Sequence, residues 1–523
     1  MTNMGQLVGK STDGRETPLM SQATKMGVAI IVVSIGLGLL ADGLLRPWPW
    51  GINVLLWVSA LALAVIALLK WQQIEAKGDG RWLLLLALFL AGGLAWRASP
   101  TLSVLNVFAL LVTLALAALH TRTGQIRVAG IANYALSLFL AGTNAIFGPV
   151  ILTFKIQWRT IPRTSGSRRI IAIGRGLLIT LPLLMLFAVL LMAADAVFAN
   201  IVVDLFEIDH FPSHVFFFGF WAWLSAGFLH QTLLLDRDNM MPQMERPSFF
   251  KLGIIEVTIL LTALNLLFLS FVLVQFRYFF GGAALVQATI DLSYAEYARQ
   301  GFFELVTVAA LLLPLLLFVH WLLRPIHTHQ KRLFRGLAGV LIGLLYVIML
   351  SALQRMRLYQ NEFGLTELRL YTTVFMGWLA LLFAWFMVTV LRGQRDRFIF
   401  GALISAFIVL AFLHLLNPDA FIVRTNVTHH TLSQEVSQNS DRSARGLDID
   451  YVESLSADAV PTLINLLPEM EKKNSCVIAR YILQDWTPPE EEIDWRTWNW
   501  GRHRASQAVQ QNRDLLESIM CRY

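Results

Sequence analysis

The sequence predicts an all-α integral membrane protein: a polytopic bundle of transmembrane helices with a small, soluble, helical C-terminal domain. The chain of 523 residues is 56% hydrophobic and only 15% charged, whereas soluble proteins are about one quarter charged on average. Several apolar runs reach the roughly 20 residues that a helix needs to cross about 30 Å of hydrocarbon. After Leu416 no such run occurs.

Twelve apolar segments follow a polar N-terminal tail of residues 1–25. The first segment lacks a convincing cleavage site, so we interpret it as a retained helix and not as a removed signal peptide. Ile131–Phe154 is interrupted by Asn144, Gly148 and Pro149, and we expect a re-entrant or interfacial element there, covered by protein. The twelve segments are Met26–Leu45, Ile52–Leu69, Trp82–Trp96, Leu102–Leu119, Ile131–Phe154, Ile173–Asn200, His214–Leu235, Phe249–Phe276, Gly301–Leu323, Leu333–Leu353, Leu370–Leu391 and Phe398–Leu416.

Charge predicts the orientation of these segments. Cytoplasmic loops of membrane proteins are enriched in Lys and Arg. If all twelve segments cross and the N-terminus is inside, 13 basic residues fall inside and 17 outside; if Ile131–Phe154 does not cross, the counts become 23 and 7. We therefore predict about eleven crossings, within a range of 11–13. The N-terminus is then cytoplasmic and the C-terminal domain extracytoplasmic.

The net charge of +7 divides into +12 for residues 1–416 and −5 for residues 417–523. We predict a membrane domain over residues 26–416, a linker over 417–446 that is rich in Ser, Gln and Asn, and a soluble domain over 447–523. The basic residues are dispersed among short loops, and the soluble domain is acidic. Both observations argue against nucleic acid as a partner.

The C-terminal domain has two features with open interpretations. Trp486, Trp495, Trp498 and Trp500 occur beside arginines, which suits a membrane-interface anchor, a protein-binding patch or packing within the domain. The only two cysteines, Cys476 and Cys521, both lie in this domain. They could pair in an oxidising compartment or remain two unpaired thiols.

Common catalytic motifs are absent from the sequence. It contains no His-Glu-x-x-His, no Gly-x-Ser-x-Gly and no paired Cys-x-x-Cys, so zinc-protease, serine-hydrolase and zinc-ribbon interpretations have no support. We predict no cofactor and favour a non-enzymatic role, without excluding an enzyme.

One predicted outer loop has metal-ligand chemistry. Carboxylate and imidazole groups close in sequence can bind a divalent cation. The alternative is an ordinary acidic outer loop that follows the positive-inside bias. The residues concerned are Asp204, Glu207, Asp209, His210 and His214.

Ionisable groups within spans are costly and therefore functional candidates. Glu256, placed about two turns into its predicted helix, and Asn265 further along are the candidates for an intramembrane site of a transporter.

A larger polar cluster is predicted toward the outer face. Its opposite charges could fix loops to one another or form an external pocket for a ligand or for the C-terminal domain. The cluster consists of Arg277, Glu296, Arg299, Arg355, Arg357, Glu362, Glu367 and Arg369.

Four segments carry a family resemblance. They begin at Tyr294 (YAEYARQGFFEL), Arg357 (RLY, then FGLTELRLY), Asn417 (NPDAFIVR) and Leu447 (LDIDY, then SLSADAVP). Over roughly residues 170–500 the chain resembles a bacterial polytopic membrane family catalogued as a domain of unknown function, the four-one-seven-three and four-one-five-three group. The resemblance implies a multi-pass protein of the bacterial inner membrane, and it brings no activity or catalytic residue.

These observations favour two functions. The first is a non-enzymatic envelope sensor, scaffold or accessory subunit that contacts the lipid bilayer and binds a membrane or envelope protein through its C-terminal domain. The alternative is a secondary transporter of unknown substrate.

Overall fold

A computed structural model of the chain describes residues 22–74, 79–120, 131–158, 186–208, 211–235, 253–289, 302–322, 328–394, 396–437, 447–487 and 494–520, with isolated positions between 176 and 184. Almost all of these residues are helical, and no strand occurs among them. The predicted all-α class is therefore confirmed.

Most of the described helices up to residue 416 cover one of the predicted apolar segments almost completely. They are α1 (Gln22–Leu45), α2 (Ile52–Trp71), α3 (Gly80–Trp96), α4 (Pro100–His120), α5 (Ile131–Lys155), α6 (Ala196–Ile208), α7 (Phe211–Leu234), α8 (Ile254–Thr289), α9 (Phe302–Leu322), α10 (Thr328–Phe363), α11 (Glu367–Thr389) and α12 (Asp396–Leu416). Nine of the described helices contain a stretch long and apolar enough to cross a membrane.

Several helices differ from the expectation. α6 shares only Ala196–Asn200 with the predicted segment Ile173–Asn200 and extends into the predicted outer loop, and α10 ends ten residues after Leu353. α5 is one uninterrupted helix of 25 residues that includes Pro149, and its part Leu138–Lys155 is among the nine candidate spans. By length and composition this part of α5 is suited to crossing a membrane. α8 begins at Ile254, five residues later than predicted, so that Glu256 lies in its first turn and not two turns inside.

The chain divides into two compact units. Unit 1 comprises residues 1–43, 60–76 and 139–235. Its helices approach closely at glycines: a Cβ atom on Gly38 of α1 would lie 2.6 Å from the Cβ of Ala222 of α7, and one on Gly227 of α7 would lie 2.6 Å from the carbonyl oxygen of Asn144 of α5. Small residues at such contacts are typical of helix packing in membranes.

Unit 2 comprises residues 44–59, 77–138 and 236–523, and two hydrophobic cores lie among its described residues. The first core is built from α8, α9, α10 and α11, with Phe398 of α12. Leu341, Ile342 and Leu345 of α10 have no exposed surface and lie in this core. α10 is 36 residues long, about 54 Å at 1.5 Å per residue, so it is longer than the thickness of a bilayer.

The second core belongs to the C-terminal domain. The domain contains α13 (Pro418–Ser437), α14 (Ile449–Glu453), α15 (Val460–Leu466), α16 (Lys472–Asp485), α17 (Trp500–Gln511) and α18 (Arg513–Ile519), with short 3-10 helices at Ala457–Ala459, Leu467–Glu469 and Trp495–Thr497.

Within the predicted linker 417–446, Pro418–Ser437 form the helix α13. Ile422, Val423 and Val427 of α13 are buried in the same core as residues of α15 and α16. The polar composition of this segment suggested a linker, but its few apolar residues are spaced to face one side of a helix. Leu365 and Leu370, which flank the start of α11, join the same core.

Candidate functional site

A buried polar junction connects the C-terminal domain to the ends of the membrane helices of unit 2. Asp458, on the 3-10 helix Ala457–Ala459, is its centre and is 6% exposed. Its Oδ2 accepts hydrogen bonds from the backbone N–H of Ala98 at 2.6 Å and of Ser99 at 3.2 Å. These N–H groups directly precede α4, so Asp458 satisfies donors at a helix start much as an N-cap side chain does.

Asp458 also forms an ion pair with Arg97. Arg97 Nη1 lies 3.6 Å from Asp458 Oδ1, and the two side chains are 12% and 3% exposed. Burial lowers the pKa of Arg97, while Asp458 acts in the opposite direction. Burial raises the pKa of Asp458, against the bond from Ala98 and the charge of Arg97, and Asp419 raises it further.

Asp419, in the first turn of α13, is completely buried. Its Oδ2 accepts hydrogen bonds from the hydroxyl of Ser456 and, at 3.3 Å, from the Ser456 backbone N–H. Its Oδ1 has no hydrogen-bond partner among the described residues. Burial raises the pKa of Asp419 to about 7 against the bonds from Ser456, and the charge of Glu367 raises it further.

Glu367, in the first turn of α11, joins α4 to the C-terminal domain. Its carboxylate accepts bonds from Ser99 Oγ at 3.4 Å and from Thr101 Oγ1 at 3.2 Å. Its backbone N–H donates to the hydroxyl of Tyr451 at 2.7 Å. Burial raises the pKa of Tyr451 to about 12, so this phenol remains neutral at physiological pH.

His414, near the end of α12, contributes a further contact. Its backbone carbonyl accepts a hydrogen bond from Arg97 Nε at 2.8 Å. Its Nε2 lies 2.7 Å from Asn106 Nδ2 of α4; because an amide nitrogen only donates, His414 accepts through this atom and is neutral. The imidazole stacks on Trp96, with ring centroids 5.9 Å apart.

A second set of contacts joins the C-terminal domain to the connection between α1 and α2. The backbone N–H of Ile52 donates to the carbonyl of Trp498 at 2.9 Å. Arg502 Nη2 lies 3.4 Å from the carbonyl oxygens of Pro49 and Trp50. A Cβ atom on Gly51 would lie 2.2 Å from the carbonyl oxygen of Trp498, so only glycine fits there.

Exposed tryptophans surround these contacts. Trp48 is 75% exposed, Trp495 62%, Trp500 43% and Trp498 38%. We call these four residues the tryptophan face. Tryptophan is an amphipathic residue that is common at membrane and protein interfaces.

The structure divides the predicted outer-face cluster. Arg355 donates to Gln275 Oε1 of α8 at 2.8 Å, whereas Arg357 is exposed. Arg369 lies over the ring of Tyr359, 4.2 Å from its centroid. Glu367 alone belongs to the buried junction. The side chains of Arg277, Glu296, Arg299 and Glu362 lie outside the described part of the structure.

The predicted metal loop is helical in part, because Asp204 and Glu207 lie on α6. The side chains of Asp204, Glu207, Asp209 and His210 lie outside the described part. His214 is described, and its Nδ1 lies 2.6 Å from Asp42 Oδ2 of α1. Among the described residues no group of three or more metal-ligating side chains occurs.

The predicted intramembrane residues have ordinary positions. Glu256 is exposed in the first turn of α8, where a carboxylate complements the helix dipole. Asn265 donates to the carbonyls of Leu261 at 2.8 Å and Leu337 at 3.0 Å. Asn265 thus joins α8 to α10 and fits a packing role.

The predicted disulfide would join Cys476 and Cys521. Cys476, on α16, is disulfide-bonded. Cys521, its predicted partner, lies outside the described residues.

Sequence reasoning missed Arg97, Asp419, Asp458 and the buried His230. Asp419 and Asp458 lie within two of the four family-like segments, so a signal for them existed. His230, on α7 of unit 1, has no exposed surface, and neither ring nitrogen has a hydrogen-bond partner among the described residues. A histidine far from the start of an apolar helix was its signal in the sequence.

Comparison with known proteins identifies a family. The family model described as "Domain of unknown function (DUF4153)" matches residues 84–466. This range covers nearly three quarters of the chain and contains all four segments that carried the predicted resemblance. No curated protein and no solved structure matches the chain.

Proposed function

Because this chain belongs to the DUF4153 family of unknown function, we propose a role from its own residues. We propose that it is a scaffold or accessory subunit of the bacterial inner membrane. Its C-terminal domain is extracytoplasmic and is held against the ends of the membrane helices, where the tryptophan face binds a partner membrane or envelope protein.

The observation that carries this proposal is the junction at Asp458. A mobile sensor domain on a tether needs few contacts with its anchor, but here a buried ion pair and two backbone hydrogen bonds connect the domain to residues 97–99. Asn499 adds bonds to the carbonyls of Leu94 at 2.8 Å and Arg97 at 2.9 Å. The arrangement favours a fixed binding platform.

The tryptophan face supports a protein partner. Trp and Arg are enriched where binding energy is concentrated in protein interfaces. Trp48 lies in the connection between two candidate spans, and the bond from Ile52 to Trp498 holds the C-terminal tryptophans beside it. A partner would therefore bind close to the membrane surface.

Helix connectivity supports the predicted parity of crossings. The connections 46–51, 97–99 and 364–366 all contact the C-terminal domain, so they lie at one membrane face. If α4 and α10 each cross once, the chain between residues 120 and 328 crosses an even number of times. Five apolar segments are predicted there. If an even number of the five segments crosses, an odd number does not. The prediction of eleven crossings omits one of them, Ile131–Phe154, and therefore agrees with this parity.

A sensor role is the second candidate, and Asp419 favours it. A buried carboxyl group with a pKa of about 7 lies at the junction and changes charge in the neutral range. Its protonation could alter how firmly the C-terminal domain is held. The transporter alternative has no comparable support, since Glu256 lies at a helix start.

Crosslinking in cells followed by purification of the tagged full chain tests the main proposal. We expect one partner in stoichiometric amount, and we expect Trp495→Ala with Trp500→Ala to lose it. Trp82→Ala is the matched control, because Trp82 is 58% exposed but lies at the opposite end of α3 from Arg97. Retention of the partner by the double variant would contradict the proposal. Substrate flux by the purified protein alone would favour transport.

A further inference from the structure

An apolar groove in unit 1 lies between α1 and α2, remote in sequence from the junction. It has a volume of about 520 Å³, within the range of roughly 300–1,000 Å³ that is common for ligand sites. Ala29 of α1 and Ala64 and Ala67 of α2 are among its lining residues. Their small side chains leave the space that larger residues would fill.

Lys25 lines one end of this groove, and a second lysine, Lys70, directly precedes the lining residue Trp71. Lys25 is in the first turn of α1, and Lys70 is in the last turn of α2. The residues 46–51 connect the other ends of these helices, so the two lysines lie about 30 and 27 Å along their helices from that connection. Both lysines are exposed. The only carboxylate on either helix, Asp42, lies near the opposite end of α1.

Two further residues place this end at the membrane surface. Trp71, the last residue of α2, is 57% exposed and lines the groove, as expected for tryptophan at the headgroup level. The end of α5 lies beside the start of α1, since the backbone N–H of Gln157 donates to Thr24 Oγ1 at 3.3 Å. Lys155, exposed in the last turn of α5, therefore adds positive charge at the same end.

We propose that this groove binds one molecule of an anionic phospholipid. An acyl chain lies along the alanines between α1 and α2, and the phosphate group is contacted by Lys25 and Lys70. Basic residues next to grooves between membrane helices are a known basis for anionic lipid recognition, and the cytoplasmic leaflet supplies such lipids. The positive-inside prediction places this end of the helices in that leaflet.

The test uses the full chain, purified in detergent, with phosphatidylglycerol and phosphatidylcholine as the probes in native mass spectrometry. We expect one tightly held phosphatidylglycerol and much weaker retention of phosphatidylcholine. Lys25→Gln combined with Lys70→Gln should weaken phosphatidylglycerol binding about thirty-fold, since each lysine near a membrane surface contributes about a fivefold effect. Lys331→Gln, at an exposed lysine in the first turns of α10, is the control and should change nothing.

Two further measurements distinguish the source of the phosphate and the role of the groove. Inorganic phosphate added alone should not raise the melting temperature, whereas phosphatidylglycerol should. Ala64→Phe, which fills the groove without changing charge, should reduce the retention of the lipid. Equal binding of both lipids by the wild-type chain, or binding of phosphatidylglycerol that neither variant weakens, would overturn the proposal. If inorganic phosphate raised the melting temperature as much as phosphatidylglycerol does, the site would be one for a free anion instead.

Discussion

Gly501 lies directly against the carboxylate of Asp458: a Cβ atom on Gly501 would come within 2.5 Å of Asp458 Oδ1. On its other side the same carboxylate accepts the N–H of Ala98 and pairs with Arg97. Asp458 thus fills the space between α17 and the connection from α3 to α4. The fit explains how a single buried side chain can join the C-terminal domain to the membrane helices.

The first prediction concerns Asp458→Ala, which leaves Arg97 buried without its partner. Removing one member of a buried ion pair costs about 3–5 kcal/mol. We expect the free energy of unfolding to fall by that amount, as measured by scanning fluorimetry of thermal unfolding in detergent. Asp450→Ala is the control, because Asp450 is exposed on α14. A melting temperature like that of the control would show that the junction contributes little to stability.

The second prediction concerns Gly51→Ala. The new Cβ would meet the Trp498 carbonyl, a backbone atom that cannot rotate away, and the bond from Ile52 would be lost. We expect a cost of about 2–4 kcal/mol from overpacking and the lost hydrogen bond, with faster proteolysis of the C-terminal domain. Gly43→Ala, where a Cβ meets nothing within 4 Å, should leave both measurements unchanged. Equal behaviour of the two variants would contradict the close approach.

The helices of the membrane part could be predicted because their signal is local. A run such as Phe302–Leu322 specifies its own helix, since every backbone polar group must be satisfied within the segment. The predicted start of α8 was early because apolar residues precede Ile254 and no cap marks the boundary. Within the predicted linker, Ile422 and Val423 of α13 are buried by residues distant in sequence, and composition does not reveal such burial.

The third prediction concerns pH and Asp419. Its pKa is raised from 3.8 to about 7, so the folded state binds more protons than the unfolded state between these values, and stability falls as pH rises through that window. We expect the melting temperature of the wild-type chain to decrease from about pH 5 to pH 7.5. Asp419→Asn should lose much of this dependence, because an amide does not titrate.

The control for this experiment is Asp485→Asn, at a carboxylate of α16 distant in sequence from the junction. It should keep the pH dependence of the wild type. A melting temperature of the wild-type chain that does not change with pH, or an unchanged pH dependence in Asp419→Asn, would show that Asp419 does not cause the effect. Either result would remove the support for a sensor role.

The junction itself could be predicted only in part. Glu367 was recognised because it belongs to a dense polar segment, but Arg97 is an isolated basic residue between two apolar helices and looks like an ordinary loop charge. Asp458 accepts a hydrogen bond from a backbone N–H group 360 positions away in the sequence. No local pattern indicates such a contact. Burial is the main cause of the raised pKa values of Asp419 and Asp458. It is a property of the assembled domain and not of the sequence around each residue.

The last prediction is a disulfide between Cys476 and Cys521. Cys476 lies on α16, which packs against α18, and the buried Leu516 of α18 precedes Cys521 by five residues. We expect the purified chain to resist maleimide labelling until it is reduced, and reduction to cost about 2–4 kcal/mol of stability through the entropy of the unfolded chain. Cys476→Ser and Cys521→Ser should each expose one reactive thiol without reduction. Because disulfides form in oxidising compartments, labelling of the wild-type chain without reduction would contradict both the pairing and the extracytoplasmic position proposed for the domain.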